Sequence, residues 1–182
     1  MAAGLAPARP SKRTVGRPRG SNKDARRETL VSAAVRVFAY RGYDAATLQE
    51  VADLVGITRP AVHHYFPGKA PLYRAALDRA HDMVMTPVAA HPMERFAAPA
   101  HGELRLACAL LGTSLAQSHR IAEIAPRITS LSADLRLLCE EAMGAQDDDH
   151  RADLLVAMIV GRWVLTASDL TWSDIETGFD AL

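Results

Sequence analysis

The residues of this 182-residue chain that are best equipped for chemistry lie close together between positions 59 and 69. They supply a guanidinium, two imidazoles, a phenol and an ammonium group: Arg59, His63, His64, Tyr65 and Lys69. The adjacent imidazoles would point to different sides of a helix, so they are poor joint ligands for a metal. The sequence also lacks metalloprotease spacing, a Gly-rich phosphate loop and a Cys/His pattern suited to zinc. We therefore predict no enzyme, no cofactor and no metal site, and we interpret these groups as ligands of nucleic acid.

The segment before these residues has the signals of a short helix with defined ends. Thr47 and Glu50 have the capping-box spacing, in which the hydroxyl bonds the amide of Glu50 and the carboxylate reaches back to Thr47. Apolar residues then repeat at helical spacing and give this helix one apolar face: Leu48, Val51, Ala52 and Val55. Gly56 follows where the chain needs a left-handed conformation to stop and turn.

A second short helix follows the glycine and carries most of the chemical groups. Thr58 is placed to cap it, and Pro60 is tolerated because first-turn amides lack helical partners. Val62 and Phe66, four residues apart, are predicted to point inward. The residues predicted to stay outside are Arg59, Pro60, His63 and His64. Two short helices joined by so tight a turn form a helix-turn-helix, whose second helix fits a DNA major groove.

These residues and their flanks, over about residues 24 to 80, resemble the TetR family of bacterial transcriptional repressors. After the recognition helix, that family has aromatic or His residues, then Phe, two residues, Lys, and Leu three later. Here the pattern runs from His63 to Lys69 as HHYFPGK, followed by Leu72, with His63 where the family usually has Tyr. The resemblance implies an all-α fold, in which a three-helix DNA-binding domain is joined by a linker helix to a helical ligand-binding and dimerisation domain.

Side-chain chemistry and the resemblance together predict roles at the DNA. The fork of Arg59 pairs with guanine O6 and N7, and Pro60 and Ala61 offer apolar contact to a thymine methyl group. His63, His64 and Tyr65 donate hydrogen bonds to phosphates or, less often, to base edges. The predicted DNA-binding set of the folded domain is Thr47, Thr58, Arg59, Pro60, Ala61, His63, His64, Tyr65 and Lys69.

Lys69 is predicted to lie in the first turn of the next helix, after Gly68 as N-cap, where its charge opposes the helix dipole. We expect nothing within the chain to compensate this charge. A DNA phosphate would compensate it, since a helix N-terminus and a Lys together form an anion site, and the Thr47 end is a second such site. An exposed Lys costs only a few tenths of a kcal/mol there, so the charge alone also allows a plain surface lysine. In the resembling family the matching Lys commonly lies at the DNA backbone.

Residues 1–23 are predicted to form a flexible basic arm, because they have almost no large apolar residues to bury. Within the arm, the segment from Gly16 to Gly20 matches the core of an AT-hook, in which Arg17, Pro18 and Arg19 would lie in the minor groove of A·T-rich DNA. The alternative is a solvated basic tail that binds phosphates without register.

The first long helix is predicted to begin at Asp24 or a neighbour and to end at Gly42. One face is apolar, through Leu30, Ala33, Ala34, Val37 and Phe38, while Arg26, Arg27 and Arg36 are predicted to lie largely elsewhere. Tyr43 is predicted to pack between this helix and the glycine hinge.

The formal net charge is zero, but its distribution is lopsided. Residues 1–80 hold 14 Lys and Arg against 6 Asp and Glu, whereas residues 81–182 hold 7 against 15. Such asymmetry points to a nucleic-acid-binding part joined to a part with another task. No apolar run is long enough to cross a bilayer and no secretory signal is present, so we expect a cytoplasmic protein. Cys108 and Cys139 are expected to be small buried residues rather than halves of disulfides.

We predict three parts: the arm (1–23), the helix-turn-helix domain (24–70) and a ligand-binding and dimerisation domain (71–182). A helix from about residue 70 to Met85, with Leu72, Ala76, Leu77 and Ala80 inward, is followed by a Pro-rich loop (87–102). An amphipathic helix then places Leu104, Cys108, Leu111 and Leu115 on one stripe, and further helices are predicted from Pro126 to Met143 and from about Asp149. The last helix is apolar around most of its circumference, which predicts burial on more than one side.

Self-association would cover that helix, and the resemblance implies a dimer formed by two late helices from each chain. We therefore assign residues 127–143 and 149–168 to a homodimer face; the alternative is a helix that is simply well packed in a monomer. The resemblance also implies a pocket for a small, mainly apolar effector, with candidate linings Met83, Phe96, Leu111, Leu115, His119 and Trp163. Each of these is also a plausible core residue.

The predicted function is a dimeric transcriptional regulator, a repressor that binds a palindromic operator in double-stranded DNA and is released by a ligand. The alternative is an architectural DNA-binding protein that senses nothing. The sequence does not identify the operator, the ligand or the regulated genes.

Overall fold

The computed structural model describes residues 19–90, 100–143 and 149–169. These ranges contain no β-strand, which confirms the predicted all-α fold. The helices are α1 (Arg19–Ala45), α2 (Leu48–Val55), α3 (Arg59–Tyr65), α4 (Lys69–Ala90), α5 (Gly102–Ala116), α6 (Ala125–Met143) and α7 (Asp149–Ser168), with a 3-10 turn at Ser118–Arg120. None of the helices described is both long enough and apolar enough to cross a membrane.

The middle of α1 is buried on all sides rather than on one face. From Leu30 to Ala39, every residue except Ser32 is buried, because α2 and α4 pack on one side of the helix and α5 packs on another. The outward position predicted for Arg36 is therefore wrong. Its guanidinium is buried and pairs with the carboxylate of Glu103 in the first turn of α5, and loss of solvent lowers the pKa of Arg36.

The sequence predicts the end of α1 correctly, but it does not predict the start. The helix begins at Arg19, five residues before the predicted start, so the end of the predicted arm is helical. Pro18 precedes that start, and a proline just before a first turn is compatible with helix formation. At the other end Gly42 has φ 73° and ψ 173°, which breaks the regular helix where predicted.

Tyr43, which follows this break, packs mainly against α1 and α4 rather than against the glycine hinge. Its ring lies 6.4 Å from the ring of Phe38 and 4.9 Å from the ring of Tyr73, measured between centroids. Tyr73 in turn hydrogen-bonds Ser114 of α5 at 2.6 Å, and burial raises the pKa of Tyr73 to about 12. The phenol therefore stays neutral and joins α4 to α5.

Helix α4 has the predicted inward face, because Leu72, Ala76, Leu77 and Ala80 have no exposed surface. The predicted loop begins too early, since α4 continues through Pro87 to Ala90. Pro87 lacks the amide hydrogen that a helix residue donates, and α4 ends three residues later. Residues 91–99 lie outside the described ranges, and α5 begins at Gly102.

We call the part of the chain after α4 the body, and helix α5 lies at its centre. More residues of α5 are buried than the single apolar stripe that the sequence predicts. All residues from Leu106 to Gly112 are buried, whereas Leu104 and Leu115 at the ends of the stripe are half-buried. The helix is covered by α1, α4 and α7, which meet it from different sides. The sequence predicts that α7 is buried on more than one side. In the described chain, α5 is the helix whose middle is buried around its whole circumference.

The two cysteines are buried and free, as predicted. Burial raises the pKa of Cys108 and of Cys139 to about 11 each. Both thiols are therefore protonated near neutral pH, and they act as small apolar groups of the core.

Gly112 allows α5 and α7 to approach each other closely. A Cβ atom at this position would lie 2.6 Å from Cβ of Trp163, 2.7 Å from its carbonyl carbon and 2.7 Å from the amide nitrogen of Val164. Because two of these three atoms belong to the backbone, the helices themselves would have to separate.

We expect Gly112→Ala to lower the free energy of unfolding by about 1–3 kcal/mol, the usual cost of forcing extra atoms into a packed core. Chemical denaturation followed by circular dichroism measures this change. Asn22→Ala is the control, since Asn22 is exposed near the start of α1 and helix propensity alone would favour alanine there. Equal stability of the two variants would contradict the close approach.

Candidate nucleic-acid interface

Helix α2 has the ends that the sequence predicts. The hydroxyl of Thr47 accepts a hydrogen bond from the amide of Glu50 at 3.1 Å, and the amide of Thr47 donates to Glu50 Oε2 at 2.9 Å. Gly56 has φ 68° and donates its amide hydrogen to the carbonyl of Asp53 at 3.1 Å. The capping box and the left-handed glycine therefore set where α2 starts and where the chain turns towards α3.

Helix α3 is anchored by its inner face. Val62 and Phe66 are 0% and 2% exposed, as predicted, and they fix which side of this seven-residue helix faces the core. Thr58 occupies the N-cap position, but its side chain makes no capping hydrogen bond, so its predicted role in capping is only partly right. The guanidinium carbon of Arg27 lies 5.0 Å from the centroid of the Phe66 ring and covers it from α1.

The outer face of α3 carries hydrogen-bond donors, and the helix contains no acidic residue. Arg59, Pro60, His63 and His64 are exposed, as predicted, while Ala61 and Tyr65 are half-buried. The helix sequence is RPAVHHY, so no carboxylate on α3 itself competes for these cationic or donor groups. The ring of His64 lies edge-on to that of Tyr65, with centroids 5.4 Å apart. The structure therefore leaves Arg59, Pro60, His63 and His64 accessible to solvent on α3.

The Thr47 end of α2 is exposed, but part of its hydrogen-bonding capacity is used within the chain. The hydroxyl of Thr47 lies 3.0 Å from Glu50 Oε2, and Arg41 Nε donates to Glu50 Oε1 at 3.0 Å. A phosphate at this end would meet an ion pair instead of an empty helix N-terminus. Arg41 thereby ties α1 to α2.

The expectation that nothing within the chain compensates the charge of Lys69 is wrong. Its ammonium donates to the carbonyl oxygens of Tyr43 at 2.7 Å, Asp44 at 3.2 Å and Ala46 at 3.2 Å. It also lies 4.5 Å from the centroid of the Tyr43 ring. These carbonyls lie more than twenty residues away in the sequence, so no local signal revealed them.

Of the predicted arm residues, Arg17 and Pro18 lie outside the described residues, and Arg19 is the first residue of α1. An AT-hook requires an extended chain from Gly16 to Gly20, whereas Arg19 and Gly20 are helical here. The minor-groove prediction therefore depends on residues before Arg19.

The predicted effector contacts that the structure describes lie in different environments. A cavity of about 390 Å³ between α1 and α4 includes Met83 among its lining residues, but its other linings are mostly charged: Arg27, Glu28, Asp78, Arg79 and Asp82, with Val31 and Ala75. Leu111 and Trp163 are buried in the core, Leu115 is half-buried and His119 is exposed in the 3-10 turn. Phe96 lies outside the described residues.

A line of polar contacts joins α4 to the first half of α6 and to the turn before it, and the sequence did not reveal it. Arg74 donates to the carbonyl of Glu123 at 3.1 Å, and Arg127 Nε donates to Asp78 Oδ1 at 2.6 Å. One turn further along α4, His81 Nε2 lies 3.3 Å from Asp134 Oδ2. Residues 74, 78 and 81 are spaced by four and three, so they share one face of α4. We call these contacts the α4–α6 seam.

The described residues contain no group of three or more His, Cys, Asp or Glu side chains placed to hold a metal ion.

Comparison with known proteins places the helix-turn-helix segment in a known family. A family model described as bacterial regulatory proteins, tetR family, matches residues 30–76. The chain is 39% identical over 89 residues to the HTH-type transcriptional activator FasR of Mycolicibacterium smegmatis, which covers 47% of this chain and 41% of FasR. It is 41% identical over 56 residues to the HTH-type transcriptional regulator TtgR of Pseudomonas putida, which covers 31% of this chain and 27% of TtgR. The chain thus matches less than half the length of these curated relatives.

Solved structures extend the likeness of the fold to the body. A TetR transcriptional regulator from Chloroflexus aurantiacus matches with a TM-score of 0.59 at 16% identity, over 88% of this chain and 93% of the other. The multidrug binding protein EbrR matches with a TM-score of 0.52 at 22% identity, over 86% of this chain and 92% of the other. The helix-turn-helix segment is therefore similar to the tetR family of bacterial regulatory proteins over residues 30–76, and the chain shares the overall fold of solved TetR regulators.

Proposed function

We propose that this protein is a DNA-binding transcriptional regulator whose α3 helices enter the major groove of a palindromic operator. The observation that carries the proposal is the division of α3 into two faces. Val62 and Phe66 hold the inner face in the core, while Arg59, His63 and His64 stand in solvent on a helix without acidic residues. A short anchored helix with an exposed donor face matches what the major groove admits and reads.

Within this proposal the exposed groups have separate tasks. Arg59 reads a guanine, and Pro60 and Ala61 contact a thymine methyl group. His63, His64, Tyr65 and Thr58 donate to phosphates, which orient the helix without reading sequence. Arg17 and Pro18, which precede α1, extend the contact to the minor groove. Lys69 is not assigned a phosphate, because its ammonium is already bound to three carbonyls.

A homodimer is supported by an apolar face that the chain itself leaves uncovered. On α7, Leu154 is 64% exposed, Met158 is 71% exposed and Leu165 is 68% exposed, and Leu137 of α6 is 55% exposed. The three α7 residues are spaced by four and seven, so they lie on one side of the helix, opposite the side that buries Ile159 and Trp163. Contiguous exposed apolar residues of this size mark an interaction surface. A two-fold pairing through α6 and α7 would also set two α3 helices on successive grooves.

We further propose that a small apolar effector bound in the body changes the spacing of the two DNA-binding heads and releases the operator. The α4–α6 seam supports this route, because it links the helix that follows α3 to a helix of the proposed dimer face. An effector that favours a different seam geometry would shift the population towards a dimer of lower operator affinity. On this account the protein is not an enzyme and acts in the cytoplasm, where bacterial DNA lies. Repression is part of the proposal, although the similar protein FasR is named a transcriptional activator.

The main test is footprinting on the DNA upstream of the protein's own coding region, followed by titration against that site and against random duplex. We expect protection of one palindrome and binding to it at salt concentrations that abolish binding to random DNA. Uniform binding across sequences would instead favour the architectural alternative.

We expect Arg59→Ala to weaken operator binding by about 1–3 kcal/mol and to relax the preference at one base pair of each half-site, because a bidentate contact to guanine is lost. Competition binding with single-base operator variants measures both effects. Arg120→Ala is the control, since Arg120 is an exposed cation in the 3-10 turn of the body. Equal losses on operator and random DNA would mean that Arg59 touches only the backbone.

We expect Met158→Asp to convert the dimer to a monomer at micromolar concentration, because it places a charge at the centre of the exposed α7 face. Size-exclusion chromatography with light scattering measures the mass. Ala122→Asp adds the same charge to an exposed apolar residue in the turn before α6 and should leave the mass unchanged. A wild-type chain that is monomeric in this assay would refute the dimer.

We expect Asp78→Asn and Arg127→Gln to weaken operator binding non-additively, because each removes the same contact of the α4–α6 seam. Double-mutant analysis of operator affinity should give an interaction energy of about 0.5–3 kcal/mol. Arg120→Gln is the control, since Arg120 is an exposed cation in the 3-10 turn, outside both the seam and the proposed dimer face. Additive losses, or none, would exclude the seam as the link between body and DNA.

A further inference from the structure

The three hydrogens of the Lys69 ammonium all have acceptors within the chain. A lysine ammonium has three donors and no acceptor, and Nζ lies within hydrogen-bond distance of the carbonyl oxygens of Tyr43, Asp44 and Ala46. The ring of Tyr43 covers the same ammonium at 4.5 Å. A DNA phosphate could bind this group only by displacing at least one of these partners.

The carbonyls belong to a place where the chain has unsatisfied acceptors. The last turn of a helix leaves carbonyl groups without intrahelical donors, and these carry the negative end of the helix dipole. Here the regular part of α1 breaks at Gly42, and the carbonyls bonded by Lys69 follow that break. A cation at this end is favourable, which offsets the small cost of placing Lys69 in the first turn of α4.

The position of Lys69 connects both helices of the helix-turn-helix. Ala46 immediately precedes Thr47, the N-cap residue of α2, while Lys69 follows Phe66, the C-cap residue of α3, by three residues. One side chain therefore ties the entry of α2 to the exit of α3. The ring of Tyr43 that flanks it is itself held by Phe38 and Tyr73, so the acceptor side is rigidly packed.

We propose that Lys69 is a positioning residue, which sets the angle of α3 relative to α2 for operator reading and makes no contact with DNA. The inference rests on the proposed function, because its main consequence is for operator affinity. Without the three hydrogen bonds, the Gly56 turn and the apolar contacts of Val62 and Phe66 are left to hold α3 against the other helices. The recognition helix then samples orientations in which Arg59 and the phosphate donors do not reach their sites together.

The test is Lys69→Met, which keeps the length of the side chain and removes the charge and the donors. We expect operator affinity to fall at least about tenfold, whereas binding to random duplex is unchanged. The slope of log affinity against log salt concentration should also stay the same. Loss of a phosphate contact would instead reduce that slope by about 0.9 for each protomer, and this outcome would overturn the proposal.

Lys69→Arg separates the two explanations independently. Arginine keeps the charge and binds phosphate well, but its planar fork does not direct three donors to one point as the ammonium does. We expect its operator affinity to remain below that of the wild type with an unchanged salt slope. Full recovery in Lys69→Arg would show that charge, not the three-carbonyl geometry, is required.

Hydrogen exchange of the amides from Thr47 to Val51 provides a readout that needs no DNA. We expect faster exchange there in Lys69→Met than in wild type, while Lys23→Met, which alters an exposed lysine near the start of α1, leaves it unchanged. If the wild type prefers no duplex sequence, the proposed regulatory function is refuted. Unchanged amide protection from hydrogen exchange in Lys69→Met would separately refute the positioning role of Lys69. A lower melting temperature with unaltered operator affinity of the folded protein would reduce Lys69 to a purely structural residue.

Discussion

The burial of the middle of α1 on every side is the constraint on which the remaining structure depends. Because the segment from Leu30 to Ala39 contacts α2 and α4 as well as α5, the DNA-binding head and the body share one helix as a common wall. A helix in this position has no solvent-facing side for a charged residue. Arg36 is therefore kept inside by its ion pair with Glu103, whose carboxylate also suits the N-terminal turn of α5. Head and body are thereby joined through packing as well as through the α4 linker.

In contrast to the middle of α1, helix α7 is buried on one side only. Gly112 lets the backbone of α5 approach Trp163, and Ile159 lies on the same inner side. The outer side retains Leu154, Met158 and Leu165 in solvent. The hydrophobic effect disfavours such a surface by roughly 25 cal/mol for each Å² of apolar area that stays wet. A second copy of the chain would remove this cost and, through two-fold symmetry, would duplicate the α3 face.

Charge follows the same division of the molecule. The basic first 80 residues contain the exposed α3 donors, and the acidic remainder contains the carboxylates that pair with arginines of the body, such as Asp153 and Glu140 with Arg136. Within the head, the carboxylate of Glu50 is held by Arg41 and by the capping box. Repulsion of DNA phosphates by the head is thereby limited, while the acidic body disfavours DNA at the other end.

Sequence alone determined the parts of this protein whose physics is local. The capping box at Thr47, the left-handed Gly56, the break at Gly42 and the inward pair Val62 and Phe66 each depend on residues within about four positions, so hydrogen-bond geometry and helical periodicity predict them. The exposed α3 face and its resemblance to a known family followed from the same short stretch.

Tertiary structure decided the partners that lie far apart in the sequence. Arg36 and Glu103 are separated by 67 residues, and Lys69 bonds carbonyls 23 to 26 residues away. Neither pairing leaves a periodic signal, because the acceptor of a charge is selected by which helices pack together rather than by spacing along the chain. For the same reason, the full burial of α5 and the α4–α6 seam could not be predicted. The sequence of a helix shows how apolar the helix is, but it does not show how many other helices pack against it.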